Sequence, residues 1–282
     1  MITAAGSLHN SQTEAHMMMD FVELLQHLSF AQATIIIPFG LGLIVFLLPW
    51  LRNAVGIKVS ADTGDGCSEG FSAIALFFVF LAATSLTTLQ GYQKDGAKAV
   101  ETELAHITNL DRDLVRVGGD VAVKARLALQ KYVRLIITDE WPRLAVGESA
   151  ETVDRALGEV ASAINHMEEI GHVDARVVEG AVERLERMSD SREERIETSN
   201  EHLPEIYWMI IFGFLGMLLL ISAFTQATLA KRVGLCGKMV ALSFTLVLIV
   251  QTDGVFVGDI SIKPKGYEKV LAKMKIRTID SN

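Results

Sequence analysis

The sequence predicts an all-α integral membrane protein in which four transmembrane helices, arranged as two hairpins, flank an antiparallel helical bundle. Three observations carry that prediction. Long apolar stretches free of Asp, Glu, Lys and Arg lie on both sides of the chain's middle. Charge is segregated: residues 93–205 hold 24 acidic and 15 basic residues, a balance of −9 within a total of −8, so the flanks are nearly neutral. That middle segment has only two prolines, Pro142 and Pro204, and few strand signals. Half of the 282 residues are hydrophobic and the mean hydropathy is +0.33, too apolar for an ordinary soluble domain. Two cysteines and no basic block exclude a disulfide scaffold and a nucleic-acid binder.

Residues 1–29 contain no Lys or Arg, which argues against a secretory signal peptide. From Glu14 to Phe30, Met17, Met18, Phe21, Leu24, Leu25 and Leu28 form an amphipathic lead-in suited to the membrane surface. A bilayer core of roughly 30 Å needs about 20 apolar residues of helix. The first span is placed at 30–51, inside a stretch uncharged between Glu23 and Arg52, with Pro38, Gly40 and Gly42 tolerated as lipid-embedded helices allow. The second is 70–92, with the core AIALFFVFLAATSL. The third is 206–230, opened by Tyr207 and Trp208 where an interfacial aromatic belt belongs. The fourth, 233–252, has only 14 uncharged residues from Met239 to Thr252 and spans if Lys238 snorkels to the interface, with a re-entrant segment as the alternative.

Four spans put the short loops 52–69 and 231–238 on one face. Those loops carry Arg52, Lys58, Lys231, Arg232 and Lys238, so the positive-inside rule places them in the cytoplasm and the acidic module outside. Cys67 and Cys236 are assigned one to each short loop. Within the module, four helices are expected: one continuing from the second span to Val117-Gly118-Gly119, one from about 121 to 139 that stops at Trp141-Pro142, one from Glu148-Ser149 to about Glu169 capped by Ser149 or Thr152, and one from about 173 to 203. Residues 253–282 are assigned as a tail.

Two Glu-x-x-His patterns, Glu103–His106 and Glu169–His172, are what a di-iron bundle would use, since i and i+3 side chains share a face. In so Glu-rich a module such pairs arise by chance, and Gly171 interrupts the second, so no metal or other cofactor is assigned. No phosphate-binding loop, zinc-protease helix or nucleophile elbow is present, and no enzyme activity is expected. The second span carries Phe77, Phe78 and Phe80 near its start and Thr84 and Thr88 near its end. An apolar aromatic constriction beside a hydroxyl-lined stretch suits a dewetting-type pore. Lipid-facing phenylalanines and interhelical hydroxyl bonds are the plainer account of the same residues. Neither Gly40/Gly42 nor Gly213/Gly216 has the four-residue spacing of a close-packing helix pair.

The run from Gly91-Tyr92-Gln93-Lys94-Asp95-Gly96 to Glu103 is followed by Tyr132-Val133, Glu140-Trp141-Pro142, Arg192 and Arg195, Leu203-Pro204 with Trp208, and Asp253-Gly254-Val255-Phe256-Val257-Gly258. In order and spacing, over roughly residues 70–270, this resembles the bestrophin-like family of bacterial membrane domains of unknown function. The family's tail has Pro where Val255 stands here. The resemblance implies a distant relation to pentameric anion channels, and hence a homo-oligomer in the lipid of a bacterial inner membrane with a small anion as its permeant partner. It also implies a cytoplasmic module, against the charge count. The alternative is a non-conducting membrane sensor or scaffold whose module binds a partner. Glu140, Trp141, Arg192, Arg195, Pro204 and Trp208 are the structural or gating candidates: Glu140 paired with either arginine would clamp the module's second and fourth helices.

Overall fold

In the computed structural model, residues 22, 25, 28–169, 175–225 and 228–280 are described. Most of the amphipathic lead-in, and His172, lie outside them. Every regular element among the described residues is helical. The chain divides into two compact units: residues 1–90, 202–253 and 258–260 form one, and 91–201, 254–257 and 261–282 the other.

The first unit holds α1 (Phe30–Ala54), the leading part of α2 (Ala61–Val117), α6 (Glu205–Ala223) and α7 (Leu229–Thr252). All four are long and apolar enough to cross a membrane. Ser29 starts α1 with a capping box: its hydroxyl accepts the Gln32 N–H while the Gln32 side chain accepts the Ser29 N–H. Helix α1 packs along α7 and α6, and α7 is the most buried span. Gly42 sets the closeness of α1 to α7, because a Cβ there would stand 2.6 Å from Val240 Cγ2 and 3.3 Å from Cys236 Sγ. Gly40 faces open space. One glycine of the pair therefore does make a close helix contact, despite the missing four-residue spacing.

Four of the five basic residues assigned to the short loops make polar contacts within the unit, while Lys58 is exposed. Arg52 donates Nη1 to the carbonyls of Ala223 and Thr225, both at 2.9 Å, and so caps the end of α6. Arg232 donates to the Phe46 carbonyl at 2.9 Å and lies 4.0 Å over its ring, in the turn that Pro49 interrupts. Lys231 pairs with Asp65, and Lys238 Nζ meets Ser72 Oγ at 2.8 Å. The loops are shorter than expected. Helix α2 starts at Ala61, where Ser60 Oγ accepts the Thr63 N–H, and α7 starts at Leu229, so Cys67 and Cys236 sit within helices as free thiols.

In the second unit α2 runs unbroken to Val117 and breaks where Gly118 and Gly119 take positive φ, +66° and +77°. Helix α3 (Gly119–Leu135) follows. It does not stop at Trp141-Pro142. A π-turn over Ile136–Glu140 shifts the ladder by one residue, so that the Trp141 N–H reaches the Ile136 carbonyl, and a helical turn (Trp141–Arg143) and a 3-10 turn (Leu144–Val146) carry the chain past the proline. Helix α4 (Glu151–Glu169) is preceded by Ala150, whose carbonyl accepts from Val153 and Asp154. Neither Ser149 nor Thr152 acts as its cap; the Thr152 hydroxyl bonds Asp139 instead. Helix α5 spans Ala175–Ser199. The residues assigned as a tail supply a fifth helix, α8 (Lys265–Asp280), whose Tyr267, Leu271 and Met274 join the core. Helix α3 packs along α4, α4 along α5, and α8 along α3 and its π-turn.

Candidate functional site

The core of the second unit contains a chain of charges. Glu103, from α2, is fully buried. Its Oε1 accepts the Tyr132 hydroxyl at 2.7 Å; its Oε2 accepts the Tyr267 hydroxyl at 2.5 Å and Arg195 Nε at 2.8 Å. Arg195, also fully buried, donates Nη2 to Glu140 Oε1 at 2.7 Å. On its other oxygen, Oε2, Glu140 accepts two bonds from Arg192, Nε at 3.0 Å and Nη2 at 2.5 Å. Arg192 ends the chain on the exposed Asp154, 2.6 Å from Nη1.

Local sequence explains why these groups meet. Arg192 and Arg195 are three apart on α5 and so share a face. The π-turn adds the extra residue that brings Glu140 inward at the end of α3. Trp141 follows and packs edge-on against Tyr267, 5.5 Å between ring centres, and Phe256, 5.3 Å. The Arg195 guanidinium carbon lies 5.7 Å from the Trp141 ring centre and 5.6 Å from that of Tyr267. Aromatic faces thus surround a cation whose Nη1 has no acceptor among the described residues.

Protonation follows from this packing. Burial alone would raise the Glu140 pKa, but hydrogen bonds from Arg192 and the charges of Arg195 and Arg192 outweigh it and hold the carboxyl below its ordinary value. Tyr132 and Tyr267 are pushed well above the usual phenol range, by burial and by the neighbouring Glu103. Burial opposes the charge on Arg192 and Arg195, yet Glu140 and Glu103 hold both firmly protonated. Glu103 and Glu140 thus form ion pairs with Arg195 and Arg192 in the core, Arg195 bridging the two acids. A second buried cluster stands apart: Asp111 accepts Arg126 Nε at 3.0 Å and Arg277 Nη1 at 2.8 Å, tying α2, α3 and α8.

Glu140, Trp141, Arg192 and Arg195 lie together in this core. Glu103, Tyr132, Tyr267 and Asp154 complete the network without having been singled out for it. Glu103 does not pair with His106: its oxygens are used in the core, while partial burial and then the charges of Arg187 and Arg184 lower the His106 pKa. In the first unit Pro204 is the N-cap of α6, and the fully buried Trp208 stacks on Phe212 at 5.9 Å. Along α2, Phe78 is buried while Phe77 and Phe80 are 63% and 72% exposed. The Thr84 and Thr88 hydroxyls bond the carbonyls of Leu81 and Thr84 on their own helix.

The network has the chemistry of a clamp. Its carboxylate oxygens and most of its guanidinium N–H groups are engaged, and it joins α2, α3, α5 and α8 with α4 at its rim. Breaking one buried pair of this kind costs about 3–5 kcal/mol, because the surviving charge is left in low dielectric.

A model of the bestrophin-like domain matches residues 41–267. No curated protein matches the sequence. Mutant crystal structures of a bacterial bestrophin homologue from Klebsiella pneumoniae share the fold: one has a TM-score of 0.64 at 12% identity, covering 88% of this chain and 98% of that one. Another has 0.64 at 12%, over 87% and 97%, and a third 0.63 at 11%, over 88% and 97%. With the four apolar helices, the matched stretch from the first span to α8 makes this an integral membrane protein of the bestrophin type: the chain belongs to the bestrophin-like family.

Proposed function

We propose that the chain is one subunit of a homo-oligomeric ion channel whose pore is lined by α2, with a small anion as the permeant species. The observation that carries this reading is a stripe on the leading part of α2. Ala73, Phe77, Phe80, Thr84 and Thr87 follow one another at alternating steps of four and three residues, and all are exposed in the single chain. Two large rings followed on the same line by two hydroxyls suit a narrow apolar neck continued by a polar stretch. No ionised side chain stands between Glu69 and Lys94, so the lining would select by width and hydration rather than by a fixed charge. The family's relation to channels supports the same reading. In it the buried charge network is a rigid clamp within the module, and Pro204 and Trp208 fix the entry to the third span.

Purified protein in planar bilayers is expected to conduct, with a reversal potential in a salt gradient that follows the anion. Phe77→Ala and Phe80→Ala should each raise the conductance several-fold by relieving dewetting. Silence of the wild-type protein across voltages and ions, with a monomer by native mass spectrometry, refutes the reading.

A further inference from the structure

The module carries two exposed faces of opposite charge. On α5, Glu179, Glu183, Glu186, Asp190, Glu193 and Glu197 follow one another at steps of three or four residues, and all six are exposed. At a rise of about 1.5 Å per residue this acidic stripe is about 27 Å long. Among the described residues only Glu183 of the six has an ion-pair partner, Arg187 at 2.5 Å. Near the end of the stripe the Glu201 pKa is raised, by burial first and then by the charges of Asp95 and Glu197.

Helix α8 has the reverse arrangement. Tyr267, Leu271 and Met274 are buried, while Lys265, Lys269 and Lys273 stand exposed at four-residue spacing, and Ile276, 60% exposed, extends their line. The two faces belong to different sides of the module, since α8 packs on α3 and its π-turn whereas α5 packs on α4 and the 3-10 turn. Among the described residues no ion pair joins them within one chain.

Two unlike, complementary faces on one body suit a head-to-tail contact, which repeats by rotation and makes a ring where that rotation closes. We infer that the lysine face of α8 seats on the acidic stripe of α5 in a second copy of this chain. The inference rests on the homo-oligomeric reading above and adds its contact surface. Charges at such a rim set register and direction of assembly more than affinity.

The test uses the full-length protein with Cys67→Ser and Cys236→Ser, as two differently tagged copies, one carrying Lys269→Cys and the other Asp190→Cys. A short bismaleimide is expected to join the two tags at least tenfold more than it joins Lys269→Cys copies to each other. Adding Lys265→Glu and Lys273→Glu to the first copy should abolish the product, and adding Glu186→Lys and Glu193→Lys to the second should restore it. An oligomer by native mass that gives no mixed product, or equal product in every pairing, overturns the inference and leaves the oligomer standing. A monomer overturns the oligomeric reading itself.

Discussion

Arg195→Met tests the clamp at its centre. The substitution keeps an unbranched stem between Trp141 and Tyr267 and removes the cation that meets both Glu103 and Glu140. Glu140 retains its bonds from Arg192. Glu103 retains two phenol hydroxyls but no charge to balance it, and it is fully buried. The loss is therefore that of a buried carboxylate without its counter-ion, about 3–5 kcal/mol. At about 2–4 °C per kcal/mol for a domain of this size, the melting temperature in detergent should fall by roughly 6–20 °C. Adding Glu103→Gln removes the orphaned charge and should recover part of that loss. Arg187→Met is the control, since its pair with Glu183 is exposed and worth at most about 1 kcal/mol. If Arg195→Met costs no more than Arg187→Met, or if Glu103→Gln deepens the loss, the network is not a clamp.

Because Glu140 is held below its ordinary value near 4.5, its contribution is present above that pH and lost as pH falls through the lower folded value; melting at stepped pH should show the module weakening below about 4.5. Tyr132 and Tyr267 are shifted upward, so their contribution is whole below about 10 and lost as pH rises beyond it, which a Tyr132→Phe variant should blunt in the same alkaline melts. Gly42→Leu should lower the melting temperature by the equivalent of about 1–3 kcal/mol through overpacking against Val240 and Cys236, while Gly40→Leu, which faces open space, should change it little. The charge count predicts that Cys67 is protected from an impermeant maleimide in whole cells; labelling would put the module in the cytoplasm, as the bestrophin resemblance implies.

The spans were legible because a bilayer demands long uncharged apolar runs, and few other structures tolerate them. Glu140, Arg192 and Arg195 came to notice through the family resemblance, and the three-residue spacing of the arginines on one helix face explains how both reach one acid. The inward direction of Glu103 was hidden by composition: noted only beside His106, it is one of 24 acidic residues in the module, and nothing local marks it or Asp111 as buried. Tyr267 was missed through the reading of residues 253–282 as a tail, though Tyr267, Val270, Leu271 and Met274 already show the three-and-four spacing of a core-facing helix. The π-turn had no such signature. Pro142 normally marks a helix end, and here the i−5 hydrogen bonding of Ile136–Glu140 lets the chain pass it.

The position of Tyr267 in the chain also bears on biogenesis. The module's core is built from residues 91–201 and closed by 254–257 and 261–282, which are made only after both spans of the second hairpin. Until then Glu103 lacks one of its two phenol donors, and Asp111 lacks Arg277. A nascent or truncated chain that ends within α7 would leave these buried charges half-answered, so a helix synthesised after the hairpin completes the module. The fold thus makes the module's stability a report on whether the membrane hairpin before α8 was finished, and a chain cut short there should be recognised by its open core.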